Sequence, residues 1–151
     1  MVTTDFLINL PDDIRKMMNG DIQMPPVSKL IGFTLTSMQP GQAVIELETT
    51  DRHANPMGTL HGGIMCDIAD AAMGIAYASL LKEGETFTTI ELKINFLKPV
   101  WKAKLQALGR VVSSGNTIGL AECDITDDKH RLVAKASSTC MTLRGERAQG
   151  R

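Results

Sequence analysis

Alternation of apolar and polar positions divides the chain into a small number of clear stretches. The sharpest is "TTIELKINFLKPV" (88–100), where Ile90, Leu92, Ile94 and Phe96 fall on one face and Glu91, Lys93 and Asn95 on the other. That is the period of a half-buried β-strand. "IGFTLTSMQPGQAVIELETT" (31–50) reads as a hairpin turning at "QPG", with Ala43, Ile45 and Leu47 alternating against Val44, Glu46 and Glu48. Three more strands are expected in "WKAKLQALGRVVS" (101–113), "TIGLAECDITD" (117–127) and "RLVAKASSTCMTL" (131–143), joined by the turns "SSGN" and "DDKH".

Between the hairpin and the sharpest strand the period changes. Residues 62–81 form a nearly continuous run of helix formers, apolar almost all round through Ile64, Met65, Ile68, Ala69, Ala72, Met73, Ile75, Ala76 and Leu80. Such a helix is buried on most sides, and the "KEGE" turn is expected to end it with Gly84 as C-cap. The order β-β-α-β-β-β-β implies an α+β fold in which a curved antiparallel sheet wraps one long central helix. An open sheet leaves edges, and pairing with further copies can cover them.

Residues 1–26 form an N-terminal helical extension: "TDFLINLPDDIRKMMN" (4–19) suggests one or two short helical turns opened by Pro11, and "GDIQMPP" a connector. A single domain follows over 27–145, and 146–151 is a polar, frayed tail.

Composition narrows the class without choosing the chemistry. The chain has 151 residues, 43% hydrophobic and 22% charged, with a formal net charge of -1. One soluble domain is the expectation, and nothing in the charge points to nucleic acid or an anionic membrane as partner. Any basic site for an anion must be local. Cys66, Cys123 and Cys140 are odd in number, show no CxxC spacing and follow no secretory leader, so a reducing cytoplasm fits best.

Candidate chemistry gathers in "NPMGTLHGGIMCDIADAAMGIAYAS" (55–79), where loop residues run through a diglycine into the apolar helix, which carries Asp67 and Asp70. A diglycine at a helix start lets a ligand approach free N–H groups at the positive end of the dipole, suiting a phosphate or a developing oxyanion. A glycine pair admitting a close backbone turn explains the same residues without function. Asp67 and Asp70 share one helix face at i,i+3. For Asp67, solvation or a loop hydrogen bond is the simpler reading. Asp70, between Ala69 and Ala71, is costly to bury without a role. At ~1.5 Å per residue, Asp70 lies ~10 Å along the axis from the Gly63 amide. If both groups act on one bond, they must therefore come from different chains, as two antiparallel helices of a twofold dimer would supply them.

Other chemistries fit less well. Cys66 and His61 are five apart, off the helical pair spacing, and His61, Cys66 and Asp70 make no convincing metal set. His53 and His130 sit in a loop and a turn, where exposure is expected.

"NPMGTLHGGIMCDIAD", "TTIELKINFLKPV" and "VVSSGNTIGLAECDITDDKHRLVAKASSTC" together resemble the hotdog-fold acyl-CoA thioesterases of the phenylacetate-degradation and 4-hydroxybenzoyl-CoA type, from about Leu30 to Leu143. The resemblance implies hydrolysis of an acyl-CoA, aryl or medium-chain, to free acid and coenzyme A, with no metal or organic cofactor. It implies Asp70 as the catalytic carboxylate, acting as nucleophile on the carbonyl or as base on water, Gly62 as the backbone donor to the thioester oxygen, and Asn55 as a loop amide positioning thioester or water. Thr89 falls where a hydroxyl can orient the water, and His61 supports the loop. Lys98, Asn116 and Thr117 match coenzyme-A-contacting positions. Asp67 departs from the pattern, since relatives more often carry a small or neutral residue there, and a second carboxylate would raise the pKa of one of the two. Self-association as a homodimer, and as a dimer of dimers to a homotetramer, completes the expectation. The alternative of a different class is a non-catalytic acyl-CoA-binding hotdog protein or regulator; a dehydratase or hydratase on this fold would carry a His/Asp motif not found here.

Overall fold

The computed structural model of the protein describes Lys16 and residues 24–149; the expected turns over 4–19 and the last two residues of the tail lie outside the described residues. Within them the order is α1 (Pro26–Ile31), β1 (Thr34–Gln39), β2 (Gln42–Glu48), a 3-10 turn at Asp51–His53, α2 (Gly62–Ala78), β3 (Thr86–Phe96), β4 (Lys104–Ser114), β5 (Ile118–Thr126), β6 (Leu132–Leu143) and a 3-10 turn at Gly145–Ala148. The strands form one antiparallel sheet in the order β1-β2-β4-β5-β6-β3. All six strands contact α2, so the sheet curls around the helix as expected.

Met65, Ile68, Ala69, Ala72, Met73 and Ala76 are buried at i, i+3, i+4, i+7, i+8 and i+11, one stripe against the sheet. Opposite them, Ala43, Ile45 and Leu47 of β2 and Leu105 and Ala107 of β4 supply inward side chains. Contact is closest at Gly109, where a Cβ would come within 2.4 Å of the Ala72 backbone, so only glycine lets the helix lie on β4 there. Tyr77, also buried, satisfies its hydroxyl against Thr142 Oγ1 at 2.9 Å.

Four local expectations are corrected. Helix α1 takes the last residue of the expected connector and the first of the expected hairpin, and fills 27–30, for which no element is expected; Pro26 opens it, and Gly32 at φ 94 closes it by donating its N–H to the Ser28 carbonyl. Helix α2 ends at Ala78, not 81, because the Ser79 hydroxyl donates to the Ala76 carbonyl at 2.6 Å and completes the last turn. Gly84, at φ 76, serves the turn into β3 instead, and Leu80, beyond the helix, is exposed. The tail is not wholly frayed, since its first residues form the Gly145–Ala148 turn. The fourth correction bears on the site. The register of β3 on β6 slips between Thr89 and Glu91, leaving Ile90 as an extra residue that is 55% exposed. This bulge reverses the parity of the strand. Leu92 and Ile94 face the helix after it, and Phe87 and Thr89 face the helix before it.

Candidate active site

The loop before α2 is held from several sides. The Asn55 carboxamide oxygen accepts the N–H groups of Met57 (2.9 Å) and Thr59 (3.2 Å), and its nitrogen donates to Thr59 Oγ1 at 2.8 Å. One amide hydrogen of Asn55 has no partner among the described residues. His53, expected to be exposed, is half-buried: its Nδ1 accepts the Thr50 N–H and its Nε2–H donates to the Ile31 carbonyl at 2.9 Å, tying the loop to α1. Leu60 N–H donates to Val100 and His61 N–H to His53, fixing the entry into the helix.

At the helix start, the free amides can be counted. His61 is the N-cap, and its Nδ1 accepts the Gly63 N–H at 2.8 Å. The Ile64 N–H donates to the His61 carbonyl. That leaves the Gly62 N–H, first of the helix, with no partner among the described residues. The diglycine also has a packing reason. A Cβ at Gly62 would come within 2.8 Å of Phe96 Cζ, and one at Gly63 within 2.9 Å of the His61 ring that caps it. Asn55, Gly62, Phe96 and Lys98 line one cleft of about 350 Å³.

The acids lie elsewhere. Asp70 is exposed, which corrects the expectation that it is buried, and Asp67 is half-buried: the buried stripe of α2 is turned to the sheet, and the acids occupy the face the sheet leaves open. Thr89 Oγ1 donates to Asp70 Oδ1 at 3.2 Å, a contact that depends on the Ile90 bulge. Asp67, Asp70 and Thr89 line a second cavity of about 330 Å³, otherwise walled by apolar groups such as Val27, Phe33, Ile75 and Phe87. Partial burial, and then the neighbouring Asp70 charge, push the Asp67 carboxyl above the ordinary carboxylate range. The Cys66 thiol is pushed up as well, by burial first and then by the two aspartates, which keeps it protonated rather than nucleophilic.

No described residue lines both cavities. The positions inferred for coenzyme A divide in the same way. The Lys98 N–H donates to Val133, whereas Thr142 N–H donates to Thr117, so nine residues of β6, ~30 Å, separate Lys98 from the Asn116–Thr117 turn. One end of the chain thus holds Asn55, His61, Gly62 and Lys98, and the other Asp70, Thr89, Asn116 and Thr117. Sequence reasoning missed Thr59, Phe96 and the α1 wall of the acid cavity. Pro26 and Gly32 could have revealed α1, whereas Phe96 on Gly62 carries no local sequence mark. Among the described residues there is no group of three or more His, Cys, Asp or Glu placed to hold a metal, and no helix is long and apolar enough to cross a membrane.

This geometry has relatives. The chain is 31% identical over 118 residues, 78% of its length and 84% of the relative's, to a Saccharolobus solfataricus protein whose name places it among the esterases. It is 27% identical to the 1,4-dihydroxy-2-naphthoyl-CoA hydrolase of Listeria monocytogenes, covering 75% of this chain and 92% of that one. Human acyl-coenzyme A thioesterase 13 is 22% identical over 88% of this chain and 96% of its own. Among solved structures, a thioesterase family protein of Silicibacter pomeroyi superposes with a TM-score of 0.78 at 27% identity, covering 87% of this chain and 99% of that one. The E. coli PaaI protein from the phenylacetic acid degradation operon shares the fold, with a TM-score of 0.78 at 23% identity over 87% of this chain and 94% of its own. The model of the thioesterase superfamily matches residues 57–134, from the loop before α2 to the start of β6, and the chain belongs to that superfamily.

Proposed function

We propose that the protein hydrolyses acyl-CoA thioesters to free acid and coenzyme A, at sites that two chains build together. The observation that carries this reading is the division of the machinery. The uncommitted Gly62 N–H and Lys98 share one cleft, and Asp70 with Thr89 another, ~12 Å apart along α2 from Gly62 to Asp70.

A second copy can join the halves. Strand β3 is an edge of the sheet, eleven residues long, with Ile90 and Phe96 exposed. Pairing two β3 edges about a twofold axis sets them antiparallel, so the Phe96 end of one chain meets the Thr86–Thr89 end of the other. The helices behind become antiparallel too, and each Gly62 amide approaches its partner's acid cavity. Association of such dimers into a tetramer would not alter this arrangement.

In the shared site the thioester oxygen accepts the Gly62 N–H, backed by the helix dipole. Asp70 takes a proton from a water whose second hydrogen is accepted by Thr89 Oγ1, and the water oxygen adds to the carbonyl carbon. Collapse of the tetrahedral adduct breaks the C–S bond. The proton held by Asp70 passes to the departing thiolate, leaving the carboxylate as it began. His61 and Asn55 act by holding the loop. Lys98 meets coenzyme A phosphate from one chain, and the Asn116–Thr117 turn meets it from the other. The reaction needs no metal or organic cofactor, and coenzyme A enters only with the substrate. The free thiols of Cys66, Cys123 and Cys140, with Cys123 pushed up to about 12 by burial, suit a reducing cytoplasm.

Incubation with a panel of acyl-CoA esters and a thiol-reactive dye tests the activity. Release of free thiol, abolished by Asp70→Asn, is the expected result; saturable acyl-CoA binding without release would make the protein a binder. A single turnover in ¹⁸O water should leave Asp70 unlabelled, and label in its carboxylate would show direct attack by Asp70.

A further inference from the structure

Which acyl group the site accepts can be argued from the cavity behind Asp70. Its polar side chains, Asp67, Asp70 and Thr89, all lie toward one end. Beyond them along α2 come Ala71, Gly74, Ile75 and Ala78, with Phe87 of β3 across from Gly74, and Met24, Pro25 and Val27 also line the cavity. These helix positions follow Asp70 at i+1, i+4, i+5 and i+8, so the cavity runs along the axis away from the acid. From Asp70 to Ala78 it extends ~12 Å. An extended chain advances ~1.2 Å per bond, as a polypeptide does over three bonds per residue, so ~10 bonds fit that length.

An aryl group fits this shape poorly. A single ring at Asp70 would fill roughly half the length and leave the Gly74–Ala78 part without contacts. Among the described residues, a ring hydroxyl pointing along the cavity would find apolar side chains such as Ile75, Ala78 and Phe87, the polar ones being Asp67, Asp70 and Thr89 behind it. We propose that the preferred substrate is a coenzyme A ester of an unbranched aliphatic acid of about eight to ten carbons, laid along α2 from Asp70 to Ala78 beside the Phe87 ring, which rests on Gly74. This rests on the thioesterase reading above.

At Gly74 a Cβ would meet Phe87 Cζ at 3.2 Å and Cε2 at 3.6 Å, so the ring rests on the helix there and any side chain pushes it into the cavity. The ring itself is held by Tyr77, 5.5 Å away and tilted by 57°, which limits how far it can yield.

The test is a kcat/KM profile over acetyl-, butyryl-, hexanoyl-, octanoyl-, decanoyl-, palmitoyl-, benzoyl- and 4-hydroxybenzoyl-CoA, for wild type, Gly74→Ala, Gly74→Leu and Phe87→Ala, with a thermal melt for each. Wild type should rise by up to ~4-fold per methylene from butyryl to octanoyl and fall at palmitoyl, with benzoyl well below octanoyl. Gly74→Leu should cut the octanoyl-to-butyryl ratio at least ~10-fold, Gly74→Ala by a few-fold, and Phe87→Ala should move the optimum to longer chains. If Gly74→Leu fails to fold, Gly74→Ala and Phe87→Ala decide by the same ratio. An aryl ester turned over best, or substitutions that scale all esters alike, overturns this assignment and leaves the thioesterase reading standing. Absence of hydrolysis of every ester by wild type overturns both.

Discussion

The two ends of the open face of α2 differ in how they are built. At the start of the helix nearly every polar group is committed: Asn55 holds its own loop, His61 caps Gly63, and a single backbone N–H at Gly62 is left over. Two turns later, Asp70 has one hydroxyl partner in Thr89, and Asp67 is driven toward its neutral form beside apolar walls. The first end is rigid and offers a donor; the second is greasy and offers a base. In the proposed function each is half of a hydrolytic site, and the helix that carries both also keeps them apart.

The largest expected effect strikes the acid end. Asp70→Asn should preserve the fold and lower kcat by at least ~10²-fold with acyl-CoA affinity little changed. Asp67→Asn should cost far less; if it is the more damaging change, the two acids exchange roles. Thr89→Val should lower kcat by ~10-fold, with Thr89→Ser recovering most of it, because only the hydroxyl is shared between them. Equal losses in Thr89→Val and Thr89→Ser would reduce Thr89 to a packing residue.

At the amide end the effect should be on binding. Lys98→Ala is expected to raise KM for acyl-CoA by ~5-fold, while turnover of a short pantetheine thioester, which lacks the nucleotide phosphates, changes little. Added salt should weaken wild-type binding more than that of the variant. An equal rise in KM for both substrates would place Lys98 outside the phosphate contacts.

The smallest effects are on stability, and two aspartates should respond to pH in opposite directions. Asp127 is shielded in the β5–β6 turn, where Arg131, through a 2.8 Å hydrogen bond, and the Lys129 and Arg131 amides hold its pKa to about 2. The folded chain binds that proton more weakly than the unfolded one. Its contribution is present above the unfolded value near 3.8 and is lost as pH falls through about 2. Asp127→Asn should therefore lower Tm at neutral pH, and the deficit should close in strong acid. Asp67 is raised, so its ionised form weakens the fold above the ordinary carboxylate range. Asp67→Asn should raise Tm slightly at neutral pH, with the gain fading as pH falls and Asp67 protonates. Melts that move the same way with pH for both variants would contradict these environments.

Much of this organisation is legible in the chain because it rests on local periods. The alternation of Ala43, Ile45 and Leu47, the apolar run behind the diglycine and the offset of Asp70 each follow from spacing alone. What escapes depends on contacts between distant segments. The Ile90 bulge is set by pairing with β6, and without it the run Ile90, Leu92, Ile94, Phe96 looks uniform. Phe96 rests on Gly62 across thirty-odd residues of chain. Burial of Asp70 is the expectation because an apolar helix suggests cover on all sides, and only the sheet's extent shows which face stays open. Even the grouping of Lys98 with Asn116 and Thr117 holds only if two chains contribute, since β6 separates them by ~30 Å.

Subunit mixing tests the division most directly. Gly62→Pro removes the free amide hydrogen; His61, at φ -66 and ψ 131, already has the extended backbone a following proline requires, and the exposed Phe96 ring has room to move aside. Refolded together with Asp70→Asn, the two inactive chains form about half mixed dimers by random pairing. Each mixed dimer has one site with both lesions and one with neither, so activity should recover to about a quarter of wild type. If the amide and the acid act within one chain, every site carries a lesion, and the mixture should stay as inactive as its parents.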